Sequence, residues 1–191
     1  MRVLVTGTTG GIGGAVKRAA LARGWEVAEL NRAEFAALET AAILPALDAL
    51  VFATGTCAVK PLGMQSDAEF AEAFEVNCGL FVKLMRRVVR ERLFAPSGMR
   101  AVAVSSVSAV EGWAGGTAYC ASKGALSAVC RALDVELRPK RISVTASEPR
   151  HVRTRMFERC AGRMGADPAQ AQPPEELAEE ILARLDSTQT N

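Results

Sequence analysis

Tyr119 and Lys123 stand four residues apart in a stretch of helical periodicity, so both side chains project from one face and an ammonium comes close to a phenol. An isolated tyrosine titrates near pH ~10, and a neighbouring positive charge favours the phenolate, so the pair suits proton exchange with a reacting oxygen. The spacing alone is common on exposed helices, but Tyr119 is the only tyrosine in the chain. Ser106 follows an apolar strand pattern, where the carboxyl ends of parallel strands form a ligand crevice, and its hydroxyl is a candidate hydrogen-bond donor to the same oxygen. Ser105 and Ser108 compete for that place; strand alternation turns Ser105 to the opposite face, and a hydroxyl that merely ends the strand is the plain reading for either.

A second group of residues has the chemistry of an anion cradle. Thr6-Gly7-Thr8-Thr9-Gly10-Gly11-Ile12-Gly13 lies between a strand pattern and a helix pattern, the context that a dinucleotide pyrophosphate site requires. Gly7 suits the tight turn, Gly11 lets backbone amides approach phosphate, and Gly13 lets helix and strand pack closely. The spacing fits both Gly-x-x-x-Gly-x-Gly and Gly-x-x-Gly-x-x-Gly, and does not choose between them. The next strand pattern ends at Leu30, where such folds place an acid on the adenosine ribose; Asn31-Arg32 stands there instead. A guanidinium at Arg32 pairs with a 2′-phosphate and the neutral Asn31 does not repel it, which favours NADP(H) over NAD(H). A solvated loop charge is the plain alternative for Arg32.

The elements that must position these groups alternate. Strand patterns at Val3–Val5, Trp25–Leu30, Ala49–Ala53, Ala101–Ser105 and Ile142–Ala146 are separated by helix-patterned stretches, and their near-continuous apolar character predicts parallel strands buried on both faces. Ala15–Arg23 reads as the first helix. Ser66 with Glu69 forms a capping box that opens a long helix to about Glu91, and a second helix spans Thr117–Leu137 before Pro139. A last helix occupies residues 173–185, residues 187–191 are expected to fray, and the irregular stretch 150–172 is expected to act as a substrate loop or lid. Arg150, Arg153, Arg155, Arg159 and Arg163 there, with Met156, Phe157 and Met164, suggest a carbonyl substrate bearing an acidic group; a solvated basic loop over packed Met and Phe is the equal alternative.

A chain of 191 residues, 49% hydrophobic and 23% charged, fits a single domain over residues 1–191. A net charge of +2 does not indicate a nucleic-acid partner. Five cysteines without ligand spacing argue against a disulfide framework and a metal site, and neither a signal peptide nor a membrane-spanning run is apparent, so a cytoplasmic location is expected. A serine hydrolase is disfavoured, because His151 is the only histidine and no Gly-x-Ser-x-Gly turn surrounds the serines.

Thr6–Gly13, Asn77 within the long helix, Ser106 and Tyr119-x-x-x-Lys123 occur in the order and at the spacing of the short-chain dehydrogenase/reductase family, which the chain resembles over nearly its whole length. The resemblance implies a Rossmann-type doubly wound parallel sheet of about six strands, order 3-2-1-4-5-6, with helices on both faces. It implies that Ser106 positions the substrate oxygen, Tyr119 is the acid/base, Lys123 binds the nicotinamide ribose and tunes Tyr119, and Asn77 supports a proton-relay water. It further implies that the cofactor contacts Gly7, Thr8, Thr9, Gly11, Ile12, Gly13, Asn31, Arg32, Ala53, Thr54 and Gly55, then Pro149, Val152 and Thr154 beside the nicotinamide. A homodimer or homotetramer would form through the two long helices, with Phe81, Val129 and Leu133 as apolar surface. The family's Asn-Asn-Ala-Gly reads Phe52-Ala53-Thr54-Gly55 here, which predicts weaker hydrogen bonding of the central strand, and its Pro-Gly reads Pro149-Arg150. Sugar epimerases share the motifs but carry a substrate domain for which this chain has no room; a catalytically silent NAD(P)-binding regulator is the remaining alternative.

Overall fold

The computed structural model describes residues 1–38 and 46–186. Five parallel strands form one sheet: β1 (Arg2–Thr6), β2 (Glu26–Leu30), β3 (Ala49–Phe52), β4 (Met99–Val104) and β5 (Ile142–Ser147), in the order β2-β1-β3-β4-β5. The doubly wound parallel architecture is therefore as expected, with one strand fewer. The sixth strand, expected beyond β2, has no counterpart among the described residues; Arg32–Ala37 forms a 3-10 turn there, and the remainder of that connection falls on residues 39–45, outside the described residues. The expected fraying of residues 187–191 also lies outside them.

Strand alternation builds two cores from one sheet. Val3 and Val5 of β1, Ala49 and Val51 of β3, and Val102 and Val104 of β4 face one side. There they meet α1 (Gly11–Ala22) through Ala15 and Val16, and α6 (Pro174–Asp186) through Leu177, Ile181 and Leu185. Leu4, Leu50, Phe52, Ala101 and Ala103 face the other side. They pack on α3 (Leu80–Arg90) through Phe81 and Leu84, and on α4 (Thr117–Leu137) through Leu126 and Leu137. Phe52 is fully buried with its ring 5.3 Å from that of Phe81, so truncating either to alanine is worth about 3–5 kcal/mol. Phe81 accordingly belongs to the chain's own core and offers no surface to a partner, while Val129 and Leu133 pack partly against the same core.

The capping box opens α2 (Asp67–Phe74): the Ser66 hydroxyl accepts from the Glu69 amide at 3.3 Å, and the Glu69 carboxylate accepts from the Ser66 amide at 3.0 Å. The long helix expected from there to Glu91 is interrupted by a π-helical turn at Glu75–Gly79 before continuing as α3. The stretch expected to be irregular, 150–172, contains a helix, α5 (Arg155–Met164). The Thr154 hydroxyl accepts from the Phe157 amide at 3.2 Å, and Gly165, at φ 64°, ends the helix in the left-handed region that glycine adopts without strain.

The central strand keeps its hydrogen bonding by another route than the family's asparagines. The Thr6 hydroxyl accepts from the Ala53 and Thr54 amides at 3.1 and 3.2 Å and bonds the Thr54 hydroxyl at 2.9 Å, locking the end of β1 to the end of β3. This contradicts the expectation of a weakened junction: a buried threonine pair supplies the polar partners that Ala53 cannot.

Candidate active site

At the carboxyl edge of the sheet lies an open cleft of about 680 Å³, its mouth included. Ten of the residues that the family resemblance assigns to catalysis or cofactor contact line it: Ile12, Ala53, Thr54, Gly55, Ser106, Tyr119, Lys123, Pro149, Val152 and Thr154. They arrive from five separate segments, each delivered by the end of a strand or the start of a helix.

Ser106 lies two residues past β4; its hydroxyl accepts from the Ser108 amide at 3.1 Å, and it lines the cleft together with Tyr119. Ser105 does turn the other way: its hydroxyl donates to the Lys123 carbonyl at 3.1 Å and pairs with the Ser127 hydroxyl at 2.8 Å. Ser108 is held by the Trp113 indole, whose N–H donates to it at 3.1 Å, and the Trp113 ring stands 6.2 Å from the Tyr119 ring. Trp113 thus forms part of the tyrosine's surroundings, although no spacing in the sequence points to it.

Lys123 is buried; its ammonium donates to the Val104 carbonyl at 2.8 Å and lies 5.8 Å from the centre of the Tyr119 ring. Burial pushes the lysine down to about 8, so it titrates near neutrality. Burial also pushes the Tyr119 phenol above its ordinary value, the thiol of Cys57 adds to that, and the Ser106 hydrogen bond only partly opposes it. The protein's own groups thus oppose the lowering expected from Lys123 together with the cationic nicotinamide, because desolvation of the phenolate dominates.

Asn77 sits in the π-helical turn, fully buried behind the cleft. Its Oδ1 accepts from the Thr56 amide at 2.7 Å, and its Nδ2 donates to the Thr56 carbonyl at 3.0 Å and to the Ser122 hydroxyl at 2.9 Å. Both amide protons are therefore committed to the loop after β3 and to α4, rather than to Tyr119.

The glycine turn fits a dinucleotide by its close approaches. A Cβ on Gly13 would come 2.3 Å from the Gly7 carbonyl oxygen, and one on Gly11 would come 2.7 Å from the Thr154 methyl, filling the space between the start of α1 and the Pro149–Thr154 segment. No side chain caps α1 and no acid lies in its first turn, so its first amide donors are suited to phosphate. Thr9 is exposed on the turn, and the Thr8 hydroxyl, with one proton to donate, lies 2.5 Å from Glu29 Oε2 and 3.1 Å from Asn31 Oδ1. Glu29, also bonded to Lys17 at 2.5 Å, is an acid near this corner that the motif reading passed over because it precedes the strand end by one residue. Arg32 is exposed and paired with Glu72 at 2.6 Å.

Of the five arginines expected around the substrate loop, Arg150 alone lines the cleft, and it is held by a two-pronged pair with Glu111 at 3.1 and 2.8 Å. The neighbouring wall is apolar, formed by Met156, Phe157 and Met164. Arg153, Arg155, Arg159 and Arg163 are exposed outside it, as in the plainer of the two readings of that loop. Among the described residues, no group of three or more His, Cys, Asp or Glu side chains is placed to hold a metal, and no helix is long and apolar enough to cross a membrane.

Comparison with known proteins agrees with this geometry. The short chain dehydrogenase family model matches residues 35–163, more than half of the chain, and the chain belongs to that family of oxidoreductases. A cyclopentanol dehydrogenase of a Comamonas species is 35% identical over 112 residues, which is 59% of this chain but 44% of the relative. This chain thus matches less than half the length of that relative. A 4-hydroxyisoleucine dehydrogenase mutant, solved with NADH and succinate, superposes with a TM-score of 0.81 at 20% identity over 99% of this chain and 92% of that one. A putative NAD(P) dependent gluconate 5-dehydrogenase from Beutenbergia cavernae, solved with bound NADP, gives 0.81 at 23% identity over 95% and 87%. At these identities the two structures establish the fold alone.

Proposed function

We propose that this chain is an NADP(H)-dependent oxidoreductase that interconverts a carbonyl and an alcohol, with Tyr119 as the residue that moves the proton. The observation that carries the reading is the convergence of Ser106, Tyr119 and Lys123 on one cleft bounded by Ile12 of the glycine turn and by Thr154. Nicotinamide, when bound, supplies or accepts the hydride. The Tyr119 phenol, kept protonated by burial, gives its proton to the carbonyl oxygen as negative charge develops there, and the Ser106 hydroxyl holds that oxygen. In the opposite direction the same phenol oxygen takes the proton back from the alcohol. Lys123, fixed by Val104, is the residue to hold the nicotinamide ribose, and Pro149, Val152 and Thr154 are those to hold the carboxamide side.

NADP(H) is the preferred cofactor in this reading. The Arg32–Glu72 pair is more than half exposed on both sides and of the class worth only about 0–1 kcal/mol, so a dianionic 2′-phosphate displaces Glu72 readily. The apolar wall beside Arg150 suits a small or medium carbonyl compound with a largely apolar body. We take residues 1–191 as one domain, with α5 as the substrate lid, working as a homodimer or homotetramer in a reducing cytoplasm, where the five free cysteines stay reduced; Val135, 70% exposed on α4, is surface available to a second copy. The test is a screen of ketones, aldehydes and alcohols following the absorbance of reduced nicotinamide. Turnover that the Tyr119→Phe protein lacks supports the reading, whereas NADP(H) binding with no turnover across the panel replaces it with a silent nucleotide-binding regulator.

A further inference from the structure

Cys57 and Cys160 are 103 residues apart and share no spacing that would pair them, yet their Sγ atoms lie 3.6 Å from one another in the wall of the cleft. Cys57 belongs to the loop that follows β3, and Cys160 to α5. Neither takes part in the proton transfer described above. The remaining cysteines are placed differently: Cys78 and Cys130 are buried in the core beneath the sheet, and the Cys120 thiol points to the Glu111 carbonyl at 3.7 Å.

We propose that Cys57 and Cys160 form a redox modification site that takes a low-molecular-weight disulfide or hydrogen peroxide as oxidant and closes the cleft by tying α5 to the β3 loop. The two S–H bonds break and one S–S bond forms. The pair gives up two protons and two electrons, and the oxidant is reduced to two thiols or to two waters. The sulfurs, at 3.6 Å, must approach by about 1.5 Å to reach a bond of about 2.05 Å. Its effect on function follows from position, because both thiols line the space that Tyr119 and Lys123 share, and a covalent tie there fixes the α5 wall against exchange of ligands. Burial and the neighbouring Cys160 push the Cys57 thiol well above its ordinary value, so little thiolate is present at neutral pH and the bond forms slowly, under sustained oxidant.

The site stands on geometry, while its effect on turnover rests on the oxidoreductase reading, so the experiment measures both. The full chain is treated in separate arms with oxidised glutathione and with hydrogen peroxide, cleared of oxidant, and digested without reductant for mass spectrometry. The expected product has lost two hydrogen masses, yields a peptide pair joining Cys57 to Cys160, and reverts with dithiothreitol; reduction of the carbonyl substrate falls by about 10-fold or more and returns with the thiols. Cys57→Ser and Cys160→Ser, made separately in case one fails to fold, lack the cross-link, and Cys120→Ser retains it. A lasting glutathione adduct or a sulfinic acid on Cys57 without the cross-link, or a cross-link through another cysteine, overturns the site. A cross-link that leaves turnover unchanged overturns the closure. A cross-link in a protein that turns over no substrate in either state leaves the dithiol site standing and sinks the oxidoreductase reading instead.

Discussion

The Nδ2 of Asn77 donates to the Ser122 hydroxyl at 2.9 Å, and that hydroxyl in turn donates to the Tyr119 carbonyl at 2.9 Å, so the π-helical turn reaches the backbone of the proposed acid/base through two bonds. A buried amide whose hydrogen bonds are all made is expensive to remove, because each former partner is left unsatisfied. Asn77→Ala is expected to lower stability by about 2–4 kcal/mol, read as a urea midpoint shift at unchanged slope. Ser122→Ala, which breaks one arm of the network, is expected to cost about 1 kcal/mol. A stable Asn77→Ala protein that has lost only turnover would instead assign the side chain directly to the chemistry.

Lys123 is a charge that the fold holds at a cost. Its value falls from the usual 10.5 to about 8 because burial disfavours the ammonium. At neutral pH the folded state therefore carries a desolvated charge that the unfolded chain does not; as pH climbs from about 8 to 10.5 the folded lysine is already neutral, and its contribution to stability improves. Lys123→Met is expected to raise stability at pH 7 by roughly 1–3 kcal/mol, to show a smaller gain above pH 8, and to abolish turnover. Thermal melts across that range check the sign; a gain that grows with pH would mean that the charge is better solvated than the structure shows.

The cofactor preference turns on an exposed ion pair. Glu72→Gln releases Arg32 and is expected to tighten NADPH about 3- to 10-fold while leaving NADH nearly unchanged. Arg32→Ala is expected to erase the difference between the two cofactors. Fluorescence titration reads both, and equal effects of either change on NADH and NADPH would remove Arg32 from the cofactor site.

Gly13 tests the cradle through sterics alone. A methyl group there would stand 2.3 Å from the backbone oxygen of Gly7, so Gly13→Ala must displace the turn or the start of α1. Loss of cofactor binding by at least about 100-fold, in a protein that keeps its helical circular dichroism, is the expected outcome. Unchanged affinity would show that the turn does not hold the pyrophosphate.

The sequence made the architecture legible where one pattern acts alone. The strand patterns were read within one or two residues of their ends because residues such as Val3 and Leu4 are both buried, on opposite faces of one sheet. The helix expected at about Thr117–Leu137 is found there, since Pro139 closes it soon after. Motif order pointed to Ser106, Tyr119 and Lys123, which the fold brings to one cleft, and alternation turned the Ser105 hydroxyl away. Long-range pairings were not legible. The Thr6–Thr54 junction, the Arg150–Glu111 pair and the Cys57–Cys160 contact each join residues between 39 and 103 positions apart, and no periodicity links them. The direction of the Tyr119 shift was missed for a related reason: a four-residue spacing reports the nearby charge and says nothing of how dry the site is.

The most direct measurement is single-turnover reduction of a reactive ketone by bound NADPH, comparing the native protein with Tyr119→Phe at equal cofactor occupancy. If the phenol delivers the proton, Tyr119→Phe loses about 10²–10⁴-fold in rate while its affinity for NADPH stays within a few-fold of native. A Tyr119→Phe protein that transfers hydride at the native rate would contradict the account.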